Sequence, residues 1–246
     1  MSDEAIPAAT LILVRERDSG APELLMVERA GGMAFAAGAL VFPGGRIDDA
    51  DRQLGQTLDV AVDAIAAIRE TIEETAVPVG LSPVPDAQTA RRMQDALVAD
   101  QPLAEVLTNA DLNLDPSALT PFARWVPKFH AVRRFDTFFY IARCPDGDWT
   151  PRVIEGECTG AFWLTAQEVL DRNARGEARL IFPTRRNLER LAQHCSFDDI
   201  RADAKAHPID PVTPWVEERD GAQFITIPDN LGYPVTQERL DGLWRG

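Results

Sequence analysis

Three observations predict an α/β sandwich built on a mixed sheet. Short β-rich runs open the chain, one helix of clear 3.6-residue period follows, and strands and then helices return after it. No segment repeats at a fixed period and no tract is of low complexity, which excludes a solenoid or a disordered chain. With 246 residues and 45% hydrophobic content the chain can bury a sizeable core, and its length suits one domain carrying insertions.

The apolar runs 8–14 and 23–29 flank the turn-prone Asp18-Ser19-Gly20-Ala21-Pro22 and read as a hairpin. Leu40-Val41-Phe42 makes a third short strand, stopped by Pro43-Gly44-Gly45. Over 59–77, Ala61, Ile65, Ile68 and Ile72 recur at helical spacing, and Pro78 and Gly80 end the element. Residues 84–113 alternate in helical fashion, with Pro102 and Asn109 as breaks, and form a small helical insertion that shapes specificity. Strands are expected at 122–126, 135–143 and 160–164, and helices at 166–173 and 184–194. The tail 207–246 carries Pro208, Pro211, Pro214, Pro228 and Pro234, so it should run extended and wrap the core.

A formal charge of −14 repels polyanions and argues against a nucleic-acid groove, which needs a basic stripe. A small phosphate ligand is still compatible, provided a divalent ion reverses the local field. Cys144, Cys158 and Cys195 have no paired spacing and read as reduced thiols rather than a disulfide framework or zinc ribbon. The start, Met1-Ser2-Asp3-Glu4, lacks a signal-peptide pattern and no stretch reaches the roughly 18 apolar residues of a membrane span. A cytoplasmic protein with no membrane partner is the expectation.

At about 100° per residue, Glu70, Glu73 and Glu74 fall on one arc of the 59–77 helix, almost opposite Ala61, Ile65, Ile68 and Ile72. Carboxylates so close repel one another, and a hard divalent cation relieves that repulsion through oxygen ligands. The competing reading is a solvated acidic face in which Arg69 and Glu73 form an i,i+4 pair.

Context decides between them. Arg69-Glu70-Thr71-Ile72-Glu73-Glu74-Thr75-Ala76-Val77, downstream of Gly44-Gly45, resembles the second half of the box of the Nudix hydrolase family, G-x5-E-x7-R-E-U-x-E-E-x-G-U. Asp51 stands where that family has Glu, and residues 52–68, seventeen in number, replace a spacer of seven, so a lengthened loop is expected there. Ala76 replaces the final glycine, implying a slightly different helix exit. The resemblance implies a Nudix-type α/β/α sandwich over 1–206, with the insertion at about 82–115 and the extension 207–246 packed on it. It further implies that Glu70, Glu73, Glu74 and the Gly45 carbonyl ligate Mg2+ or Mn2+. Arg69 would hold the glutamates by salt bridge and Asp51 would stand behind them.

Arg29, Phe35, Gly38, the run 41–45, Asp48 and Asp51 look like the coenzyme A diphosphatase branch of that family. Arg133-Arg134-Phe135-Asp136-Thr137 resembles the RRFDT segment of the branch named for a peroxisomal mammalian enzyme. The substrate implied is a nucleoside diphosphate derivative, best coenzyme A or an acyl-coenzyme A. ADP-ribose, NADH, nucleotide sugars and a catalytically weak nucleotide sensor are the alternatives, and a homodimer is left open. Arg29, Arg133 and Arg134 are the candidate phosphate clamps; for the last two the competing reading is a surface arginine paired with Asp136 or Asp146. Glu157, six residues ahead of Trp163, fits a loop glutamate that orients or deprotonates water, against an ordinary exposed carboxylate. His130, His194 and His207 have no ligand-spaced partners. No G-x-S-x-G, HExxH, P-loop or G-x-G-x-x-G run occurs.

Overall fold

A computed structural model describes residues 5–31, 36–127, 134–154, 156 and 158–240. The two apolar runs of the hairpin are β1 (Ile6–Arg15) and β2 (Glu23–Arg29). They pair only at Val14↔Leu24 and Arg15↔Glu23 and then part. Into the gap come β3 (Leu40–Val41), which pairs with β2, and β4 (Gly44–Arg46), which pairs with β1. The glycine pair is therefore more than a strand stop, because it continues as strand. Close approach requires glycine: a Cβ on Gly44 would lie 2.5 Å from Ala9 O and 2.7 Å from Thr10 Cα.

The expected lengthened loop between Gly45 and Arg69 is instead a helix, α1 (Asp49–Leu58). Its start was legible in principle. Asp48 accepts from the Asp51 N–H at 2.8 Å and Asp51 accepts from the Asp48 N–H at 3.1 Å, a reciprocal capping box. Helix α2 (Val62–Thr75) follows, with Ile65, Ile68 and Ile72 fully buried against Leu11 and Leu13 of β1. Ala61 is its N-cap rather than part of the buried stripe. Ala76 does not change the exit: at φ 57° it keeps the left-handed cap that glycine ordinarily takes, and its N–H donates to Ile72 O at 2.8 Å.

The insertion comprises β5 (Leu81–Ser82), α3 (Ala87–Val98), α4 (Leu103–Ala110) and β6 (Asn113–Leu114), closed by the β5–β6 pairing. Pro102 caps α4, whereas Asn109 lies inside that helix and breaks nothing. Then come β7 (Thr120–Trp125), β8 (Phe135–Arg143), β9 (Cys158–Thr165), α5 (Ala166–Ala174) and α6 (Phe182–Leu191), close to expectation. Helix α7 (Phe197–Ala206) was not anticipated. The tail is less extended than its prolines suggested: it forms β10 (Pro211–Val212), β11 (Trp215–Arg219), β12 (Ala222–Thr226) and β13 (Gln237–Arg239).

The main sheet runs β10-β7-β8-β1-β2-β3, with β4 on β1 and β9 on β2. It is mixed, since β1·β8 and β7·β10 are parallel and the other pairs antiparallel. Alternate side chains build two cores. Leu11, Leu13, Leu25 and Tyr140 face α2, α3 and α4, whereas Ile12, Val14, Leu24 and Ile141 face α5, α6 and α7. The result is the three-layer α/β/α sandwich. β11, β12 and β13 form a separate small sheet, fastened to α6 where Glu238 pairs with Arg185 at 2.6 Å and Arg186 at 2.7 Å. Tyr233 adds a buried link, accepting from Trp125 Nε1 at 2.9 Å and donating to Asn187 Oδ1 at 3.0 Å. Among the described residues no helix is long and apolar enough to cross a membrane. All three cysteines are free thiols.

Candidate active site

The parting of β1 and β2 leaves Gly44 and Gly45 beside the middle of α2, and there the acidic arc of the helix is found. The first turn of α2 is pinned to β8 by Tyr140, whose hydroxyl donates to Asp63 Oδ2 at 2.6 Å. Burial, and then Asp63, hold that hydroxyl above its ordinary pKa, so it stays a donor.

Arg69 is the hub. Its side chain is only 10% exposed. Nε and Nη2 both reach Asp51 at 3.0 Å, Nη1 reaches Glu70 Oε1 and Glu73 Oε2 at 3.0 Å, and Nη2 also donates to Arg46 O at 2.9 Å. Burial alone would weaken its charge, but the hydrogen bond to Asp51 and the charges of Glu70, Asp51 and Asp48 hold it above its ordinary pKa. Asp51, in the place of the box's first glutamate, is 1% exposed and reached through α1, so the missed helix is what delivers this carboxylate.

The glutamates do not form a solvated face. Glu70 and Glu73 have side chains 13% and 26% exposed, and Glu74 is buried. Glu70 lies flush on Gly45, where a Cβ would run into its carboxylate. Glu74 Oε2 accepts from the Gly44 N–H at 3.1 Å, and the Cys158 thiol lies 3.9 Å from its Oε1. These two contacts had no signal in the sequence, because they join elements 30 and 84 residues apart.

Among the described residues no group of three carboxylate, imidazole or thiol side chains stands ready around a common metal position. Glu70 and Glu73 turn towards Arg69, and Glu74 towards Gly44 and Cys158. Donor chemistry nevertheless suits a hard divalent cation: three carboxylates share little more than one turn, and glycine at 45 lets Glu70 meet the backbone.

Arg29 ends β2, where a bulge sets it opposite Cys158. Its Nε is buried with no hydrogen-bond acceptor among the described residues. Arg134 precedes β8, and its carbonyl accepts from the Ile6 N–H at 2.8 Å. Asp136 takes a two-pronged pair from Arg124, at 2.8 and 2.6 Å, across the β7–β8 pairing. Phe35, His130, Arg133, Glu155 and Glu157 lie outside the described residues.

The three-layer sandwich, with a glutamate-bearing helix beside abutting glycines, is similar to that of Nudix hydrolases. No family profile matches the chain. A Nudix hydrolase from Alicyclobacillus acidocaldarius superposes with a TM-score of 0.71 at 27% identity, over 81% of this chain and 96% of that one. The Nudix domain of NrtR from Shewanella oneidensis, solved with ADP-ribose, gives a TM-score of 0.47 at 16% identity, over 78% and 88% of the two chains. An Ap4A hydrolase from C. elegans gives 0.40 at 12%, over 80% and 93%. The likeness to the Alicyclobacillus protein spans nearly all of that molecule, so the enzyme class is shared, with the substrate left to the site.

Proposed function

We propose that the protein is a divalent-metal-dependent diphosphatase whose preferred substrate is coenzyme A or an acyl-coenzyme A. The observation that supports this best is the packing of Glu70 against Gly45 and of Glu74 against Gly44, beside an Arg69 that pairs with Glu70 and Glu73. Glu70, Glu73, Glu74 and the Gly45 carbonyl would hold magnesium or manganese, which would supply Lewis acidity and neutralise phosphate charge. Arg69 orients Glu70 and Glu73 and ties them to Asp51. Arg29, whose buried Nε meets no acceptor among the described residues and whose strand pairs with that of Cys158, offers a charged donor to a phosphate oxygen. Arg133 and Arg134 are further donors of the same kind, assigned from the RRFDT resemblance. Glu157 is assigned to take a proton from the attacking water. Water oxygen bonds to one phosphorus, the bridging P–O bond breaks, and the electron pair leaves with the other phosphate.

Coenzyme A, an acyl-coenzyme A, ADP-ribose and NADH, incubated with the protein and Mg2+ and followed by product mass, test the reading. The expected products from coenzyme A are 3′,5′-ADP and phosphopantetheine. Failure to cleave any diphosphate, without added partner, would sink the enzymatic reading. A kcat/KM for coenzyme A no better than for ADP-ribose removes the coenzyme A assignment alone.

A further inference from the structure

Helix α3 was expected to shape specificity. One of its residues reaches the catalytic helix directly. Gln94 is fully buried, on the helix face it shares with Ala90, Met93 and Leu97. Its Nε2 donates to two main-chain carbonyls from different elements, Glu73 O at 3.0 Å and Arg152 O at 2.7 Å. The Arg152 N–H in turn donates to Thr75 O at 2.8 Å. The last carbonyls of a helix have no partner within it, so this ring satisfies two of the orphan acceptors in the turn of α2 that bears Glu73 and Glu74. It also fixes that turn against the segment at 150–154, which leads into β9 and Cys158.

Gln94 Oε1 is buried with no donor among the described residues. A core amide with half its capacity unmet is costlier than an apolar side chain of the same shape. Packing alone gives no reason for glutamine at a position where its neighbours are Met and Leu. Its two amide hydrogens do, because only a forked donor can hold both carbonyls at once.

We propose that Gln94 is a positioning residue for the site: through Glu73 O and Arg152 O it sets where the carboxylates of Glu73 and Glu74 stand relative to the strand that carries Cys158. This rests on the diphosphatase reading, and the test separates the two. Gln94→Met keeps the volume and removes both donors. Leu97→Ala, which weakens the same helix face without touching the carbonyls, is the comparator for stability loss. Mn2+ binding followed by electron paramagnetic resonance, and kcat and KM for coenzyme A, are measured on all three proteins beside their urea midpoints. Gln94→Met is expected to weaken Mn2+ binding and lower kcat by about ten-fold or more, the usual scale for groups that orient metal ligands. KM should stay within about two-fold, and Leu97→Ala should keep wild-type Mn2+ affinity at an equal or lower urea midpoint. If Gln94→Met binds Mn2+ within about two-fold of wild type, or if Leu97→Ala loses as much affinity at matched stability, the positioning role is overturned. A wild type that cleaves no diphosphate overturns the functional reading, while the Mn2+ comparison still decides the role of Gln94.

Discussion

Replacing Arg69 by methionine keeps most of the aliphatic stem and deletes the charge, so it isolates the ionic contribution of the hub. What it leaves behind can be read from the contacts. Asp51, 1% exposed, loses both of its bonds to the guanidinium and, among the described residues, keeps the N–H of Asp48. Burial already pushes the Asp51 carboxyl above its ordinary pKa against the pull of Arg69, so without Arg69 an uncompensated buried charge remains. Removing one partner of such a pair costs about 3–5 kcal/mol. For a chain of this size that corresponds to a fall in Tm of roughly 6–20 °C. Adding Asp51→Asn to Arg69→Met should recover at least about 2 kcal/mol, because the stranded charge is gone while the carbonyl that accepts from Asp48 remains. Asp51→Asn alone should cost less, since Arg69 keeps Glu70 and Glu73. Equilibrium urea unfolding with chelator present measures all four corners of this cycle. A loss below about 1 kcal/mol in Arg69→Met, or no recovery in the double variant, would refute the reasoning that buried charge dominates.

Glu74→Gln retains an oxygen for the Gly44 N–H but removes a negative charge from the site; turnover should fall more than ten-fold, about 1.4 kcal/mol in barrier, while the urea midpoint moves little. Retention of wild-type kcat would exclude Glu74 from the chemistry. Burial pushes the Cys144 thiol up to about 12, and Cys158 is buried, so at pH 8 a disulfide reagent should titrate one fast thiol, Cys195. Cys144 contributes almost no thiolate until the pH approaches that value, and three thiols should react only in denaturant; two fast thiols in the native protein would contradict the packing. Asp59 and Asp111, both exposed, close α1 and α4 in left-handed geometry at φ 55° and place negative charge at a helix C-terminus. Asp59→Gly and Asp111→Gly should each raise stability by about 0.5–1 kcal/mol, and a lower urea midpoint would count against that account.

Much of the site was legible as local pattern. The spacing of Ile65, Ile68 and Ile72 determined a helix with one buried face, and the same period placed Glu70, Glu73 and Glu74 on another. The hairpin, the strand at Leu40–Val41 and the strands that became β7, β8 and β9 followed from β-rich runs and turn residues. Such features depend on neighbours within about four residues in the chain, which a linear reading samples directly. The capping box of Asp48 and Asp51 is equally local, but with an aspartate rather than a glutamate at its third position it gives a weaker helix-start signal, and α1 stands where the family spacing implies loop.

Tertiary structure alone decided the rest. Whether the acidic arc faced solvent depended on Gly44, Gly45 and Cys158 closing over it, and those contacts come from strands whose register no periodicity specifies. Nothing local distinguishes Gln94 from other polar residues of the insertion; its role exists only because α3 packs behind α2 and brings the carbonyls of Glu73 and Arg152 to its amide. The tail's prolines suggested an extended wrap, whereas Glu238 and Tyr233 find α6 across some 50 residues and the segment folds as a sheet. The physical reason is common to all three: sequence determines which groups a short segment can present, and burial chooses their partners only when distant segments are packed together.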